Sequence, residues 1–432
     1  LGWNTSSLKA YYYNGIPFRL KFPKSYSTAA DGKTYPLYLF FHGVGEGGSM
    51  YDNEYSMYHG GDVLSAAVDN GKFDGFLLYP QSTNASGAFS TAQLSVIYNL
   101  IMNYLIPQVK VDPNRIIVNG LSGGGGATWE FTETYPKMVA ASIPMSAATT
   151  NDVNKIGTLI YKPIWLSSGA LDDAPSPYTC GLVSNAATAN GCDFVWKLYS
   201  TLGHNVWDSV WKEPDFFPYM NRAYMSNPWT KFGRTEFCPG DAINVTVGVT
   251  GGFNGYEWRK DGVTIPGANS STIIVTQLGT YDCRILNGST WSIWSPIPVV
   301  IKVKQPTVTP DIQVSGLASN VLPAPDGSTT VTLQVPAGYV NYVWQKLNPV
   351  TALSNNTNIL SGATVGSYQV KVTEQYGCSS SFSNLFTVID ANGPNQPSLP
   401  ANLQATAVSQ TQIKLNWTED AAPANPETQF EV

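Results

Sequence analysis

Ser122 stands at the centre of Gly120-Leu121-Ser122-Gly123-Gly124, after the apolar run Arg115-Ile116-Ile117-Val118 and before Ala127-Thr128-Trp129-Glu130-Phe131. The pattern reads as strand, tight turn and helix, the geometry that lifts a serine hydroxyl above a sheet edge. Such a turn holds its central residue at a strained backbone angle, and glycine on both sides removes the clashes. A serine presented this way is suited to covalent catalysis. Its hydroxyl is a weak nucleophile at neutral pH, so a base must lie within hydrogen-bond reach and a carboxylate must fix that base's tautomer.

The chain has three histidines, His42, His59 and His204. After a serine elbow the acid and then the base follow in chain order, and only His204 lies beyond Ser122. It also follows Phe194-Val195-Trp196-Lys197-Leu198-Tyr199, an apolar run that reads as a strand feeding a short loop. Between serine and histidine, Pro163-Ile164-Trp165-Leu166-Ser167-Ser168-Gly169-Ala170-Leu171-Asp172-Asp173 reads as a strand ending in two aspartates. An acid three positions after the glycine selects Asp172, with Asp173 as the alternative. Two backbone N–H donors must also face the oxyanion of the tetrahedral intermediate. Gly123 supplies one. The loop His42-Gly43-Val44-Gly45-Glu46-Gly47, after the strand Pro36 to Phe41, supplies the other, assigned to Val44 with Gly45 left open. His42 is expected to brace this loop. The glycines do not form a phosphate cradle, because no Gly-Lys-Ser/Thr or Gly-x-Gly-x-x-Gly helix start accompanies them.

The segment Val111 to Gly124, with His42-Gly43-Val44-Gly45-Glu46-Gly47 upstream and Gly203-His204-Asn205-Val206-Trp207-Asp208 downstream, resembles the secreted polyhydroxybutyrate-depolymerase and feruloyl-esterase branch of the α/β-hydrolases. The likeness covers residues from about 36 to 208. It implies carboxylic-ester hydrolysis, with feruloyl or acetyl groups on plant cell-wall polysaccharide as substrates and no cofactor. Many members of that branch carry methionine after the serine, where this chain has Gly123, which bears on acyl-group preference. The prolyl-oligopeptidase-type serine peptidases share the triad order, but residues 1 to 35 leave no room for their N-terminal propeller. A polyester or lipid esterase and an inactive carbohydrate-binding surface protein complete the alternatives.

The doubly wound α/β pattern supports the same fold: apolar strands at Tyr38 to Phe41, Phe76 to Tyr79, Ile116 to Asn119, Val139 to Pro144, Ile164 to Ser168 and Phe194 to Tyr199 alternate with helices at Asp62 to Asp69, Thr91 to Ile106 and Gly124 to Thr134. The last begins at the nucleophile, where its N-terminal dipole favours an oxyanion. Aromatic side chains near these motifs, Tyr51, Tyr55, Tyr58, Trp129, Trp207 and Trp211, are candidates to stack on sugar or phenolic rings. Trp207 and Trp129 are the binding residues expected first.

At 432 residues the chain exceeds a single core. Its organisation reads as an α/β-hydrolase domain over 1–233, immunoglobulin-like domains over 234–303 and 304–390, and a linker with an incomplete fibronectin type III domain over 391–432. The fold class is thus a doubly wound sheet followed by all-β sandwiches. Cys238, Trp258 and Tyr281-Asp282-Cys283 resemble the cysteine, core tryptophan and tyrosine corner of an immunoglobulin-like sandwich, which implies a Cys238–Cys283 bridge. Trp344 and Gly366-Ser367-Tyr368-Gln369-Val370 repeat the pattern with the second cysteine replaced, leaving Cys378 as the odd thiol. Leu399 to Leu403 and Ile413 to Trp417 look like the opening of a fibronectin type III domain, and the natural protein is expected to continue, with a C-terminal region serving cell-surface attachment.

Only 12% of residues are charged, about half the usual share. The net charge of −6 is spread without a basic run, which excludes a nucleic-acid footprint. No apolar stretch approaches the ~20 residues of a membrane span. Leu1-Gly2-Trp3-Asn4 carries no basic and apolar leader, so any signal peptide is expected to have been removed. Five cysteines suit an oxidising, extracellular setting, and Cys180 and Cys192 are expected to bridge across a small-residue loop. Without a Cys-x-x-Cys or clustered histidines there is no zinc ligand set.

Overall fold

The computed structural model describes residues 1–316, 318–393, 401–409 and 412–418. They pack as two units, one of Leu1–Phe237 with Asp241–Val303, the other of Cys238–Gly240 with the chain from Lys304 onward.

The first unit is built on an eight-stranded sheet: β1 (Lys9–Tyr13), β2 (Ile16–Lys21), β3 (Tyr35–Phe41), β4 (Phe76–Pro80), β5 (Val111–Leu121), β6 (Ala141–Met145), β7 (Ile164–Gly169) and β8 (Phe194–Tyr199). Their spatial order is β1-β2-β4-β3-β5-β6-β7-β8, antiparallel through β1, β2 and β4 and parallel from β4 to β8. This is the doubly wound α/β arrangement that the sequence pattern predicts, with an antiparallel edge added by β1 and β2. Every residue of β3 is buried, as a parallel strand covered on both faces requires. Leu37, Leu39 and Phe41 enter one apolar layer with Ile116 and Val118, while Tyr38 and Phe40 enter the other with Ile117 and Leu121.

Helices α1 (Gly61–Asp69), α2 (Thr91–Leu100), α3 (Ile106–Val109), α4 (Gly123–Thr134), α5 (Thr150–Lys155), α6 (Pro177–Asn190), α7 (Trp207–Val210) and α8 (Phe216–Asn221) complete the fold. A π turn, Ile101–Leu105, joins α2 to α3, so the helix expected over Thr91 to Ile106 is present with an interruption. Helix α6 corrects the expected small-residue loop and with it the Cys180–Cys192 bridge. Ser176 caps it through the Thr179 amide, Pro177 opens it, and Gly191 closes it at φ 72°. About 15 Å of helix therefore separates the two thiols, and both are free and buried.

After α8 the chain turns to β structure: β9 (Trp229–Thr230), β10 (Glu236–Phe237), β11 (Val245–Gly248), β12 (Gly255–Lys260), β13 (Val263–Thr264), β14 (Thr272–Val275), β15 (Gly279–Asn287), β16 (Thr290–Trp291) and β17 (Val299–Val303). Two sheets, β10-β17-β15-β12-β13 and β14-β11-β9, enclose a core around Trp258, Tyr281, Cys283 and Ile285. The second unit repeats this with β18 (Gln313–Val314), β19 (Val321–Leu322), β20 (Val331–Gln334), β21 (Asn341–Lys346), β22 (Thr351–Ala352), β23 (Ile359–Ala363), β24 (Gly366–Thr373) and β25 (Phe386–Asp390) around Trp344 and Tyr368. The repeat extends to individual bonds. The Trp258 indole N–H donates to the Ser270 carbonyl and that of Trp344 to Thr357, both at 2.8–2.9 Å. Ser295 and Ser292 accept from the β15 amides of Cys283 and Ile285, as Ser383 and Ser380 do from Val370 and Val372 of β24.

The Cys238–Cys283 bridge is corrected: Cys238 is bonded to Cys378, and Cys283 is free and buried. Cys238 follows β10, which lies in the same sheet as β15 with β17 between them, so it does not face Cys283 across the sandwich. A last hairpin, β26 (Ala401–Ser409) with β27 (Gln412–Thr418), carries the segments read as a fibronectin opening. The expected linker residues from 394 to 397, and residues 399, 400 and 419–432, lie outside the described residues. Among the described residues no helix is long and apolar enough to cross a membrane.

Candidate active site

Strand β5 delivers Ser122 at its end, and α4 starts at the next residue. Ser122 has φ 56° and ψ −122°, a conformation that costs a non-glycine residue about 1–3 kcal/mol and is kept only where the surroundings impose it. Those surroundings are close backbone contacts. A Cβ on Gly124 would meet the Phe41 carbonyl oxygen at 2.0 Å, and one on Gly120 the Gly124 oxygen at 2.3 Å, so no other residue fits either place. The Ser122 amide donates to the Met145 carbonyl at 2.9 Å and fixes the turn to β6.

The loops after β7 and β8 bring the other two groups. Asp172 and His204 are tied together through the Leu171 amide, which donates to the Leu202 carbonyl at 2.9 Å. A Cβ on Gly169 would strike the Gly203 oxygen at 2.0 Å, so glycine lets the two loops approach. His204 Nε2 lies 2.8 Å from Ser122 Oγ, and its Nδ1 lies 2.8 Å from Asp172 Oδ2. Asp172 is 7% exposed, and its other oxygen accepts the Ala174 amide at 3.0 Å. With a carboxylate facing Nδ1, that nitrogen carries the proton, and Nε2 is free to accept from the serine. Asp173 is exposed. The structure therefore brings Ser122, Asp172 and His204 into one hydrogen-bonded chain and leaves Asp173 outside it.

The loop after β3 meets this chain from the other side. Val44 Cγ2 would touch a Cβ on Gly123 at 2.8 Å, and Val44 N would lie 3.6 Å from it. Gly45 N instead packs at Gly87, where an added Cβ would meet it at 2.8 Å. Val44, not Gly45, thus abuts Gly123, and together the Val44 and Gly123 amides can face a developing oxyanion. Gly123 N belongs to the first residue of α4, so it has no intrahelical acceptor.

His42 supports the loop as expected. It is fully buried, its Nε2 accepts the Ser82 amide at 2.9 Å, and its Nδ1 therefore donates to the Gly43 carbonyl at 2.8 Å. Burial lowers its pKa and keeps the ring neutral. Sequence reasoning missed a second support. Glu46 is 7% exposed; its Oε2 accepts the Gly43 amide at 2.6 Å and its Oε1 pairs with His59 Nδ1 at 2.7 Å. The His59 ring packs edge-on to Trp207 at 5.1 Å, and Trp207 packs edge-on to His204 at 5.9 Å. One carboxylate thus links the oxyanion loop to the wall behind the base.

The expected binding tryptophans are corrected by the same packing. Trp207 is 5% exposed and Trp129 1%, with the Trp129 indole N–H spent on the Ala147 carbonyl at 2.9 Å. Trp129 borders the cleft but is almost wholly covered, and Trp207 packs against His204, so neither ring exposes a face on which a sugar could stack. Trp211 is buried as well, whereas Tyr51, Tyr55 and Tyr58 are exposed. A cleft of about 680 Å³ opens at Ser122 and Gly123, within the range of small-molecule sites. Among the described residues no group of His, Cys, Asp and Glu could hold a metal ion.

No family model matches the chain, and no curated protein matches it. Among solved structures it is similar to a thermostable esterase, at 23% identity and TM-score 0.45 over 51% of this chain, and the match takes in 64% of that esterase's own length. A ferulic acid esterase matches at 16% identity and TM-score 0.40, over 49% of this chain and 97% of its own. A feruloyl esterase module from Clostridium thermocellum complexed with sinapinate matches at 16% identity and TM-score 0.39, over 49% of this chain and 86% of its own.

Proposed function

We propose that the chain is a serine esterase that cleaves carboxylic esters through an acyl-enzyme. The observation that carries this reading is the unbroken chain Ser122 Oγ, His204 and Asp172, with 2.8 Å at each link, on a turn that only glycine neighbours permit. In this mechanism His204 Nε2 takes the hydroxyl proton as Ser122 Oγ attacks the ester carbonyl. Asp172 holds the ring and balances its positive charge, while the Val44 and Gly123 amides receive the oxyanion. His204 then gives the proton to the leaving alkoxide, freeing the alcohol and leaving an ester on Ser122. Water, deprotonated by His204, attacks that ester through a second oxyanion, and the acid and the free serine are regenerated.

Feruloyl or acetyl esters of plant polysaccharide are the substrates this reading favours, supported by the motif resemblance and by a cleft of about 680 Å³ at Ser122. We further propose immunoglobulin-like character for the two sandwiches. Tyr281 Oη donates to the Gln277 carbonyl at 2.9 Å and Tyr368 Oη to that of Thr364 at 2.7 Å, as a tyrosine corner does. An extracellular setting accords with the Cys238–Cys378 bond.

The test is hydrolysis of methyl ferulate, acetylated xylan, nitrophenyl acetate and a peptide by the protein and by Ser122→Ala. Turnover of the carbohydrate or phenolic esters that disappears in the variant supports the proposal. Peptide cleavage with all esters intact would replace it with a peptidase.

A further inference from the structure

A second serine beside the nucleophile has a strained backbone. Ser146, the first residue after β6, has φ 48°, is 1% exposed and borders the cleft that opens at Ser122. A serine in the left-handed region is uncommon, and a conformation that costs energy points to a task at its position. The mechanism above gives Ser146 no part.

The dipeptide Met145-Ser146 is bonded to the supports of all three catalytic groups. The Met145 carbonyl accepts the Ser122 amide at 2.9 Å. The Ser146 amide donates at 2.8 Å to the carbonyl of Ser167, on β7, the strand that leads to Asp172. Ser146 Oγ donates to the His204 carbonyl at 2.6 Å. Helix α4 is pressed onto the same segment, since a Cβ on Gly125 would meet the Met145 oxygen at 2.6 Å and the Ala147 Cβ at 2.7 Å. Of the three bonds, the one to His204 is made by a side chain. A substitution can therefore remove it while the two main-chain bonds stay.

We infer that Ser146 is a positioning residue for the general base: its hydroxyl sets the main chain of His204 so that Nε2 meets Ser122 while Nδ1 meets Asp172. The inference rests on the serine-esterase reading and adds the group that holds its base in place. The His204 side chain is 35% exposed and stands on a loop, so its own packing leaves it room to drift. The His204 carbonyl also accepts the Val206 amide at 3.0 Å, and its two lone pairs accommodate both donors. The Val206 bond shapes the turn within the loop, whereas the Ser146 bond ties that turn to the end of β6. Ser146 is covered from water, where a hydrogen bond is electrostatically stronger. His204 transfers a proton in both half-reactions, and misplacing such a group by about 1 Å can cost ~10²-fold in rate.

The experiment measures kcat and KM for nitrophenyl acetate, beside thermal melts, in the full chain, Ser146→Ala and Ser146→Gly. Both variants lose the hydroxyl, but only glycine also relieves the positive φ. The expected result is a kcat about tenfold lower in both, the loss of one hydrogen bond, with KM changed less than about twofold and Ser146→Gly melting no lower than Ser146→Ala. Activity then follows the hydroxyl and not the stability. Were the residue merely structural, activity would follow the melt, and Ser146→Gly would stand near wild type. Full kcat in a folded Ser146→Ala or in Ser146→Gly, or a loss confined to KM, would overturn the positioning role and leave the esterase standing; if Ser146→Ala does not fold, Ser146→Gly decides alone. Hydrolysis that persists undiminished in Ser122→Ala would instead overturn the esterase reading, and the role of Ser146 with it.

Discussion

Glu46 is the residue whose removal discriminates best between a merely serine-bearing fold and a preorganised oxyanion site. Its two oxygens hold the Gly43 amide at 2.6 Å and His59 Nδ1 at 2.7 Å from a position that is 7% exposed. The Gly43 amide lies in the peptide before the one that carries the Val44 N–H, so the carboxylate acts on the proposed second oxyanion donor through Gly43, while His42 holds the Gly43 carbonyl of the Val44 peptide itself. In Glu46→Ala a buried N–H loses a charge-assisted bond worth about 1.5–3 kcal/mol. If that loss is passed on to the Val44 amide, kcat falls about 10- to 100-fold, less than the 10²–10³ for deleting a donor outright. Glu46→Gln behaves differently. Its carbonyl can keep the Gly43 bond while its amide faces His59, whose ring takes the other tautomer, so kcat drops less than about threefold. The assay is steady-state hydrolysis of nitrophenyl acetate with kcat and KM resolved, beside a thermal melt to show that both variants are folded. A folded Glu46→Ala with full kcat, or one affected in KM alone, would refute the argument that this carboxylate positions the oxyanion loop.

Asp172→Asn should lower kcat by ~10³–10⁴ by releasing His204 into the wrong tautomer, while Asp173→Asn changes it less than about twofold; equal losses would mean that the acid has been misassigned. Lys162 is 2% exposed, donates to the Val139 carbonyl and lies 3.4 Å from Met225 Sδ, and burial lowers its pKa to about 7. The unfolded chain then holds a proton that the native state lacks between pH 7 and the ordinary lysine value of about 10.4, so stability rises with pH in that window, by about 2 kcal/mol from pH 7 to pH 9. Urea unfolding of wild type against Lys162→Met at those two pH values should show the wild-type slope removed in the variant. Thiol titration of the denatured, unreduced protein should count three sulfhydryls, from Cys180, Cys192 and Cys283, and five after reduction; one before reduction would restore the Cys180–Cys192 bridge.

The catalytic arrangement was legible because its requirements are local. Gly120 and Gly124 are demanded by contacts within one strand–turn–helix, and the order of serine, acid and base follows from strand ends. The β1–β2 hairpin was overlooked although Asn14 and Gly15, at φ 42° and 90°, form its turn and carry the usual Asn-Gly signal. Helix α6 was hidden because its buried stripe, Cys180, Val183 and Ala187, is narrow and built of small residues among Ser, Thr, Ala and Asn. Its Ser176-Pro177 start and Gly191 stop were nonetheless written in the chain. The Cys238–Cys378 bond spans 140 residues and depends on which strand ends meet, which no local pattern encodes. The tryptophans misled for a physical reason: proximity in sequence to a catalytic residue says nothing about which side of a loop a large ring fills, and Trp129 and Trp207 fill the inside. Glu46 went unnoticed because its two partners are fixed by tertiary structure.

The central claim is that Ser122 forms a covalent acyl intermediate. Mixing the protein with nitrophenyl acetate, quenching in acid within the first turnovers and mapping the adduct by mass spectrometry tests it directly. The account predicts a burst of nitrophenol close to the enzyme concentration and one acetyl group, on Ser122, with neither seen in Ser122→Ala. An acetyl group on another residue, or undiminished hydrolysis by Ser122→Ala, would contradict it.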